Sequence, residues 1–386
     1  MAFPLIGGRQ WLGGFHYLCN LLRTLEQHAG EQIQPFLFLG DDLAEEDSAP
    51  LSALTGVTII RHADFNSSAK SARLRLALLT GCDQVAARHF RQQGIDVAFE
   101  PAQFYGWRFP LATVAWIPDF QHRHLRHLFG FGAYWKRELG FRAQVLAKRQ
   151  IMLSSEDSRR DCERFYPASR DRTHVVRFAV PSPATDGGAA RAVADSYGLP
   201  QHFFFLPNQF WAHKNHLCVV RALHLLKQRG LDVVVAVTGK QEDARDPSHF
   251  PKILKLLDEW NLRDNFRLLG LLPYRHLPAL MGSATALINP SFFEGWSTTV
   301  EEAKSIGTPL LLSDIPVHRE QADGAARFFD PESPEALADA LAQTVPLPAE
   351  QRAALRAAAE AQSVGRIQAF AAGFVELVAQ AHQAHS

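Results

Sequence analysis

The chain has 386 residues, 47% of them hydrophobic and 21% charged, with 40 Lys+Arg against 40 Asp+Glu and so no formal net charge. That length suits two domains, each with material for its own core, and the neutral balance excludes a protein that holds nucleic acid by bulk charge. Cys19, Cys82, Cys162 and Cys218 form no Cys-x-x-Cys, which argues against a zinc cage or disulfide framework and for a reducing cytoplasm. No apolar run is long enough to cross a membrane, and no basic start leads into an apolar stretch of signal-peptide type.

Taken in chain order, residues 1–6 leave room only for a very short first strand, unless the true start lies upstream. The pair Gly13-Gly14 then precedes a helix-like stretch at 16–25. Two adjacent glycines allow a backbone to approach a ligand closely. Strands are expected at 35–39, 57–61, 97–100, 114–117, 151–154 and 174–178, and more cleanly at 203–206, 233–238, 266–269, 286–289, 310–313 and 327–329. These short apolar runs alternate with helical stretches such as 216–228 and 298–306, the pattern of right-handed crossovers and parallel sheets. The Pro- and Gly-rich stretch 181–188 reads as a hinge. Ala-rich 350–361 is helical by propensity, and 367–381 carries apolar residues at helical spacing, so this last helix could cross back onto the first domain.

The strongest chemical signal runs from Asn289 to Ala303. A buried strand ends near Ser291, a turn with Gly295 follows, and a helix begins near Thr298 and stops at Gly307, with Pro309 just beyond. Such a helix N-terminus offers free N–H groups and the positive dipole end to a phosphate, at the carboxyl edge of the sheet where ligands bind. Glu294 and Glu302 flank that position, and carboxylates repel phosphate, so they are expected to address sugar or ribose hydroxyls. The alternative is a capping box, since Thr298-x-x-Glu301 and Thr299-x-x-Glu302 both fit one.

Glu294 and Glu302, with Pro290-Ser291 before and Gly295 after, resemble the E-x7-E motif of glycosyltransferase family 4, and Gly307-Thr-Pro-Leu-Leu-Leu-Ser-Asp314 resembles that family's next strand. The resemblance covers most of the chain, in the first half mainly by layout. It implies a GT-B fold, two Rossmann-like α/β domains with parallel sheets facing a central cleft. The acceptor-side domain is expected at 1–182, with helix 367–383 returning to it, and the nucleotide-sugar domain at 183–366. The resemblance implies a donor sugar against Glu294, ribose on Glu302, and diphosphate on the backbone amides of Trp296, Ser297 and Thr298 beside Gly295.

Lys214, in the loop after strand 203–206, suits phosphate as a compact point charge. The family has an arginine five residues before that lysine; here the position is Gln209, which removes one cation. Gly13 and Gly14 resemble the family's glycine-rich turn near donor phosphate and acceptor. Where many members carry His-Asp this chain has Pro118-Asp119, so Asp119, or His122 three residues on, is the catalytic candidate on the acceptor side. His122, His124 and His127 also raise a metal, but a lone His-rich loop lacks matched partners, and no Asp-x-Asp occurs. No metal and no cofactor beyond the donor substrate are expected.

Residues 122–149 hold seven Lys or Arg and one acid, Glu138, interleaved with Phe129, Phe131, Tyr134, Trp135 and Phe141. Such a segment suits an anionic lipid surface or a phosphorylated acceptor; a solvated helix face with core aromatics accounts for it equally well. The whole reads as a metal-independent, retaining hexosyltransferase that takes a UDP- or GDP-type nucleotide sugar and a saccharide or lipid-linked acceptor. The expected setting is cytoplasmic, on the inner face of a bacterial membrane, in polysaccharide or lipopolysaccharide synthesis. The alternatives are a GT-B nucleotide-sugar epimerase and a catalytically silent nucleotide-sugar-binding subunit.

Overall fold

The computed structural model describes residues 1–386 except 9–11, 102, 184–186 and 386, so the expected hinge at 181–188 lies partly outside the described residues. Two compact units emerge: 1–122 with 131–178 and 366–386, and 123–130 with 179–365. The first carries strands β1 (Ala2–Pro4), β2 (Phe36–Leu39), β3 (Thr58–Arg61), β4 (Val97–Pro101), β5 (Ala112–Trp116), β6 (Gln150–Leu153) and β7 (Thr173–Val175), in the order β3-β2-β1-β4-β5-β6-β7. The second carries β8 (Phe204–Leu206), β9 (Val235–Thr238), β10 (Phe266–Gly270), β11 (Leu287–Asn289), β12 (Leu310–Ser313) and β13 (Ala326–Phe329), in the order β10-β9-β8-β11-β12-β13. All pairs are parallel. Strand order reverses next to β1 in one sheet and next to β8 in the other, the switch points of doubly wound folds.

The period of two along each strand explains why these short runs are apolar throughout. In the second unit Phe204, Leu206, Val235, Val237 and Ile288 pack on one face with the helix His216–Gln228. Phe203, Phe205, Ala236, Leu287 and Leu312 pack on the other with the helix Thr298–Ile306. Both faces are covered, so neither can carry polar residues. Polar side chains gather instead at the strand ends.

Two expectations are corrected. The first helix begins at Leu12, so Gly13 and Gly14 lie in its first turn. The positive-φ glycines after β1 are Gly7 (φ 73°) and Gly8 (φ 131°), which take the turn the sequence assigned to the later pair. At the other end, 350–361 and 367–381 belong to one helix, Ala349–His385, that runs through Gly365. A glycine within a helix costs about 1 kcal/mol relative to alanine and does not by itself end it. From Arg366 onward this helix groups with the first unit. There Phe374 stacks with Phe3 and meets Phe99, and Phe370 meets Tyr17, itself stacked on Trp116.

Candidate functional site

The second unit assembles its polar residues where β8 and β11 end. After β8 the chain passes Asn208 and Gln209 into a short 3-10 turn, Ala212–Lys214. Gly239, beyond β9, has φ 148°, and a Cβ there would lie 2.4 Å from the Asn208 carbonyl, so only glycine lets these backbones approach. Asn215 adopts a left-handed φ of 56° and donates its amide to the Pro290 and Pro331 carbonyls at 3.1 and 2.8 Å. The loop bearing Lys214 is thereby clamped to the loops that follow β11 and β13.

Lys214 Nζ stands 2.6 Å from Glu294 Oε1, with the side chains only 13% and 9% exposed. Ser291 Oγ lies 2.7 Å from the same oxygen. Burial alone would raise the Glu294 carboxyl; Lys214 and the Ser291 hydroxyl outweigh it and hold the group below the ordinary range. His318 is buried, its Nδ1 facing Ser313 Oγ and carbonyl at 3.0 Å and its Nε2 without a hydrogen-bond partner among the described residues. Burial pushes its pKa down to about 4, against the pull of Glu294. Glu294 is therefore a fixed anion at neutral pH, neutralised by one lysine and bordered by a neutral imidazole.

The helix Thr298–Ile306 starts at Ser297, whose side chain caps no N–H. Ser297 Oγ instead accepts from Asn289 Nδ2 at 2.9 Å and meets Thr299 Oγ1 at 3.1 Å. Among the described residues Glu302 closes no capping box, its Oε1 accepting from the Tyr274 hydroxyl at 2.8 Å, while Glu301 faces Lys304 and Gln321. The capping alternative for Glu302 therefore falls. Burial pushes the Glu302 carboxyl up to about 7, against the lowering effect of Tyr274. One expected phosphate donor is already committed: the Ser297 N–H donates to Gln321 Oε1 at 3.1 Å, and Gln321 Nε2 returns a bond to the Ser297 carbonyl.

Thus Lys214, Glu294, Gly295, Trp296, Ser297, Thr298 and Glu302 gather around the start of one helix. Gln209 is half-buried on the neighbouring loop, its side-chain amide without a hydrogen-bond partner among the described residues. The sequence reading missed Gln321, His318 and Tyr274. The first two follow the Ser313-Asp314 strand end on the helix Pro316–Ala322; Tyr274 stands just past β10, where no local pattern marks it.

The remaining candidates lie in the first unit. Asp119 Oδ1 accepts from Gln121 N at 2.8 Å and from Arg137 Nη2 at 2.6 Å. Burial would raise its carboxyl, and Arg137 more than offsets that. His122 is fully buried, with Nε2 3.3 Å from Glu138 Oε2 and Tyr134 and Phe141 against its ring. Burial and Arg137 push its pKa down to about 4. His122 thus reaches no solvent and sits as a core group. The unit also brings together His62, Asp64 and His89, which no sequence spacing suggested. Asp64 Oδ2 there takes Arg88 and His89 at 3.0 and 2.8 Å, while His62 Nδ1 accepts the Asp64 N–H. Part of the charge expected of 122–149 is engaged, with Arg137, Arg142 and Arg149 on Asp119, Glu138 and Glu100.

Residues 195–362 match the family model described as glycosyl transferases group 1. Over 148 residues the chain is 24% identical to the O-antigen chain mannosyltransferase RfbU of Salmonella typhimurium, covering 38% of this chain and 40% of that protein. The chain spans less than half the length of the curated relatives it matches. A glycosyltransferase of Rickettsia africae superposes with a TM-score of 0.71 at 14% identity, over 98% of this chain and 97% of that one. Anabaena HepE in complex with UDP and glucose gives 0.70 at 14% identity, over 98% and 99%. With the two parallel sheets and their switch points, these likenesses show the fold: GT-B, two Rossmann-like α/β domains.

Proposed function

We propose that the protein is a retaining glycosyltransferase that moves a hexose-type sugar from a UDP- or GDP-linked donor to a saccharide or lipid-linked acceptor in the synthesis of a bacterial surface polysaccharide. The relatives named as O-antigen mannosyltransferases and the group 1 match support the reaction and its setting. The observation that carries the reading is the buried Lys214–Glu294 pair beside a helix N-terminus with no side-chain cap.

Departure of a nucleoside diphosphate develops negative charge on the β-phosphate. Lys214 and the amides at the helix start, those of Trp296 and Thr298 among them, stabilise it as preorganised electrostatics that need no metal. Glu294, released in part from Lys214 by the incoming phosphate, accepts hydrogen bonds from the sugar hydroxyls. Glu302 accepts from the ribose, with Gly295 leaving room for the diphosphate, and Gln209 turns its unpaired amide to the donor. In the first unit Asp119 serves the acceptor: Oδ1 is held by Arg137 and Gln121, and Oδ2 remains for an incoming hydroxyl. The segment 122–149 meets an anionic membrane surface through Phe131, Trp135, Leu139 and Lys136, all exposed.

Calorimetry with UDP, GDP and their sugars in EDTA, followed by product analysis with and without a saccharide acceptor, tests this. Tight metal-free binding of one nucleoside diphosphate, and donor consumption only with acceptor, are expected. Donor conversion without acceptor would make the protein an epimerase, and binding without turnover a silent subunit.

A further inference from the structure

The helix Lys70–Thr80 buries only Arg73 and Ala77. Around the rest of its circumference stand Leu74, Leu76, Leu78 and Leu79, the last 85% exposed. An ordinary surface helix shows one apolar stripe and turns it inward; here four leucines face outward. Between 70 and 81 the sequence places Lys70, Arg73 and Arg75 and no carboxylate. Arg73 is spent on Asp83 inside the unit, which leaves Lys70 and Arg75 outside. At the helix's C-terminal end Gly81 accepts the Arg108 N–H at 2.7 Å, and Trp107, 46% exposed, lies beside the same glycine. At its other end Lys70 lines a cavity of about 60 Å³ with Pro4, Phe38, Gly40 and Asp42, at the carboxyl ends of β1 and β2.

We infer that Lys70–Thr80, with Trp107 and Arg108, is a lipid-contacting element that seats the first unit on an anionic bilayer. Leucines enter the acyl boundary while Lys70, Arg75 and Arg108 meet the headgroups, the division of labour of an interfacial helix. Trp107 presents an apolar body with a polar tip, which suits the headgroup level. A protein partner needs no such cations beside its leucines, and a second copy of the chain would bring like charges together. The cavity at Lys70 then opens close to the membrane, where a lipid-linked acceptor would present its polar head. The inference rests on the lipid-linked reading of the acceptor proposed above and adds a contact that the segment 122–149 does not supply.

The test uses the full chain with vesicles of phosphatidylcholine alone or mixed with phosphatidylglycerol. Native protein should co-sediment with the mixed vesicles only, and less in high salt. Because all four cysteines are buried, an environment-sensitive dye on Leu79→Cys reports this site selectively and should shift blue on the mixed vesicles. The double variant Leu78→Glu/Leu79→Glu changes exposed side chains, so it should fold, bind nucleotide normally, and lose sedimentation by about tenfold or more. Phe131→Glu/Trp135→Glu separates the contribution of the other segment. An unshifted dye, or a double variant that sediments like the native chain, overturns the inference. So does light scattering that shows the leucines holding a dimer. Failure of nucleotide binding with sedimentation intact would instead remove the transferase reading and leave the lipid contact standing.

Discussion

At the carboxyl end of β11 in the second unit, Glu294 shares a buried ion pair with Lys214 and stays charged. At the equivalent end of β4 in the first unit, Glu100 is fully buried, takes the Tyr105 N–H at 3.0 Å, and lies 3.5 Å from Arg149. Burial there wins and raises the carboxyl. Corresponding strands of the two sheets thus lead to two glutamates with opposite electrostatic outcomes, Glu100 within the last residues of β4 and Glu294 in the loop beyond β11. The difference lies in what surrounds them. Lys214 and Glu294 sit in loops beside a helix whose N-cap side chain, Ser297, makes no cap bond. Glu100 is enclosed by Gln144, Arg149 and the Tyr105 backbone, which satisfy the loop between β4 and β5. What separates the two carboxyls is their company: Glu294 has a lysine at 2.6 Å and a serine hydroxyl at 2.7 Å, whereas Glu100 is fully buried with Arg149 at 3.5 Å.

The sharpest way to break that contrast is Lys214→Ala. Removing one member of a buried pair strands the other charge, at a cost of about 3–5 kcal/mol. Chemical denaturation should register most of it, and transfer should fall by orders of magnitude. Lys214→Ala with Glu294→Gln should regain much of the stability and none of the transfer. If the single variant keeps both properties, the pair is neither buried machinery nor a donor site.

Glu302 comes next. On the proposed role, replacement by Ala would remove a charged hydrogen bond to the ribose and should weaken nucleotide binding by about 1.5–3 kcal/mol. The pH dependence sharpens the point. A carboxyl raised from 4.5 to about 7 in the fold binds more protons folded than unfolded, so its contribution to stability declines as pH climbs from about 4.5 to about 7. A ribose that donates to the carboxylate favours the ionised form, so affinity should rise with pH up to about 7, with proton release on binding. Calorimetry in buffers of different ionisation enthalpy reads that release; its absence would take Glu302 out of the site.

His122 carries the opposite sign in the other unit. Its pKa falls from 6.5 to about 4 in the fold, so its contribution is present above about 6.5 and is lost as pH drops toward 4. His122→Ala leaves Glu138 short of a partner and should cost about 1–3 kcal/mol. Turnover per folded molecule should hold. A large fall in kcat at unchanged melting temperature would return His122 to the reacting atoms and erase the contrast between the units.

These variants also mark how far the sequence could be read. The strands were visible because double-faced burial leaves apolar runs, and β8–β13 align with the expected windows to within two residues. Lys214, Glu294 and Glu302 were visible because a strand, a glycine turn and a helix follow one another over a few residues. Gly13 and Gly14 misled because a Gly-Gly pair does not say whether the next helix has already begun, whereas Gly7 and Gly8 carry the positive φ. Gln321 and Tyr274 were invisible because each meets its partner across more than twenty residues of chain. His122 read as chemistry from its neighbours in sequence, but its burial depends on Glu138, sixteen residues away.

The smallest expected effect is the most discriminating for the helix start. Were Thr299 half of a capping box with Glu302, Thr299→Ala would cost about 1 kcal/mol and expose an N–H that the helix needs satisfied. In the structure Ser297 is the N-cap, its hydroxyl is turned to Asn289, and Glu302 is turned to Tyr274. Thr299 then contributes only its 3.1 Å contact with Ser297 Oγ, and its replacement should stay within about 0.5 kcal/mol of the native stability. Nucleotide affinity should not move either, since Lys214, Glu302 and the backbone amides are untouched. A loss of a full kcal/mol in thermal unfolding, with affinity intact, would restore the capping box and place Glu302 in the scaffold with Glu100.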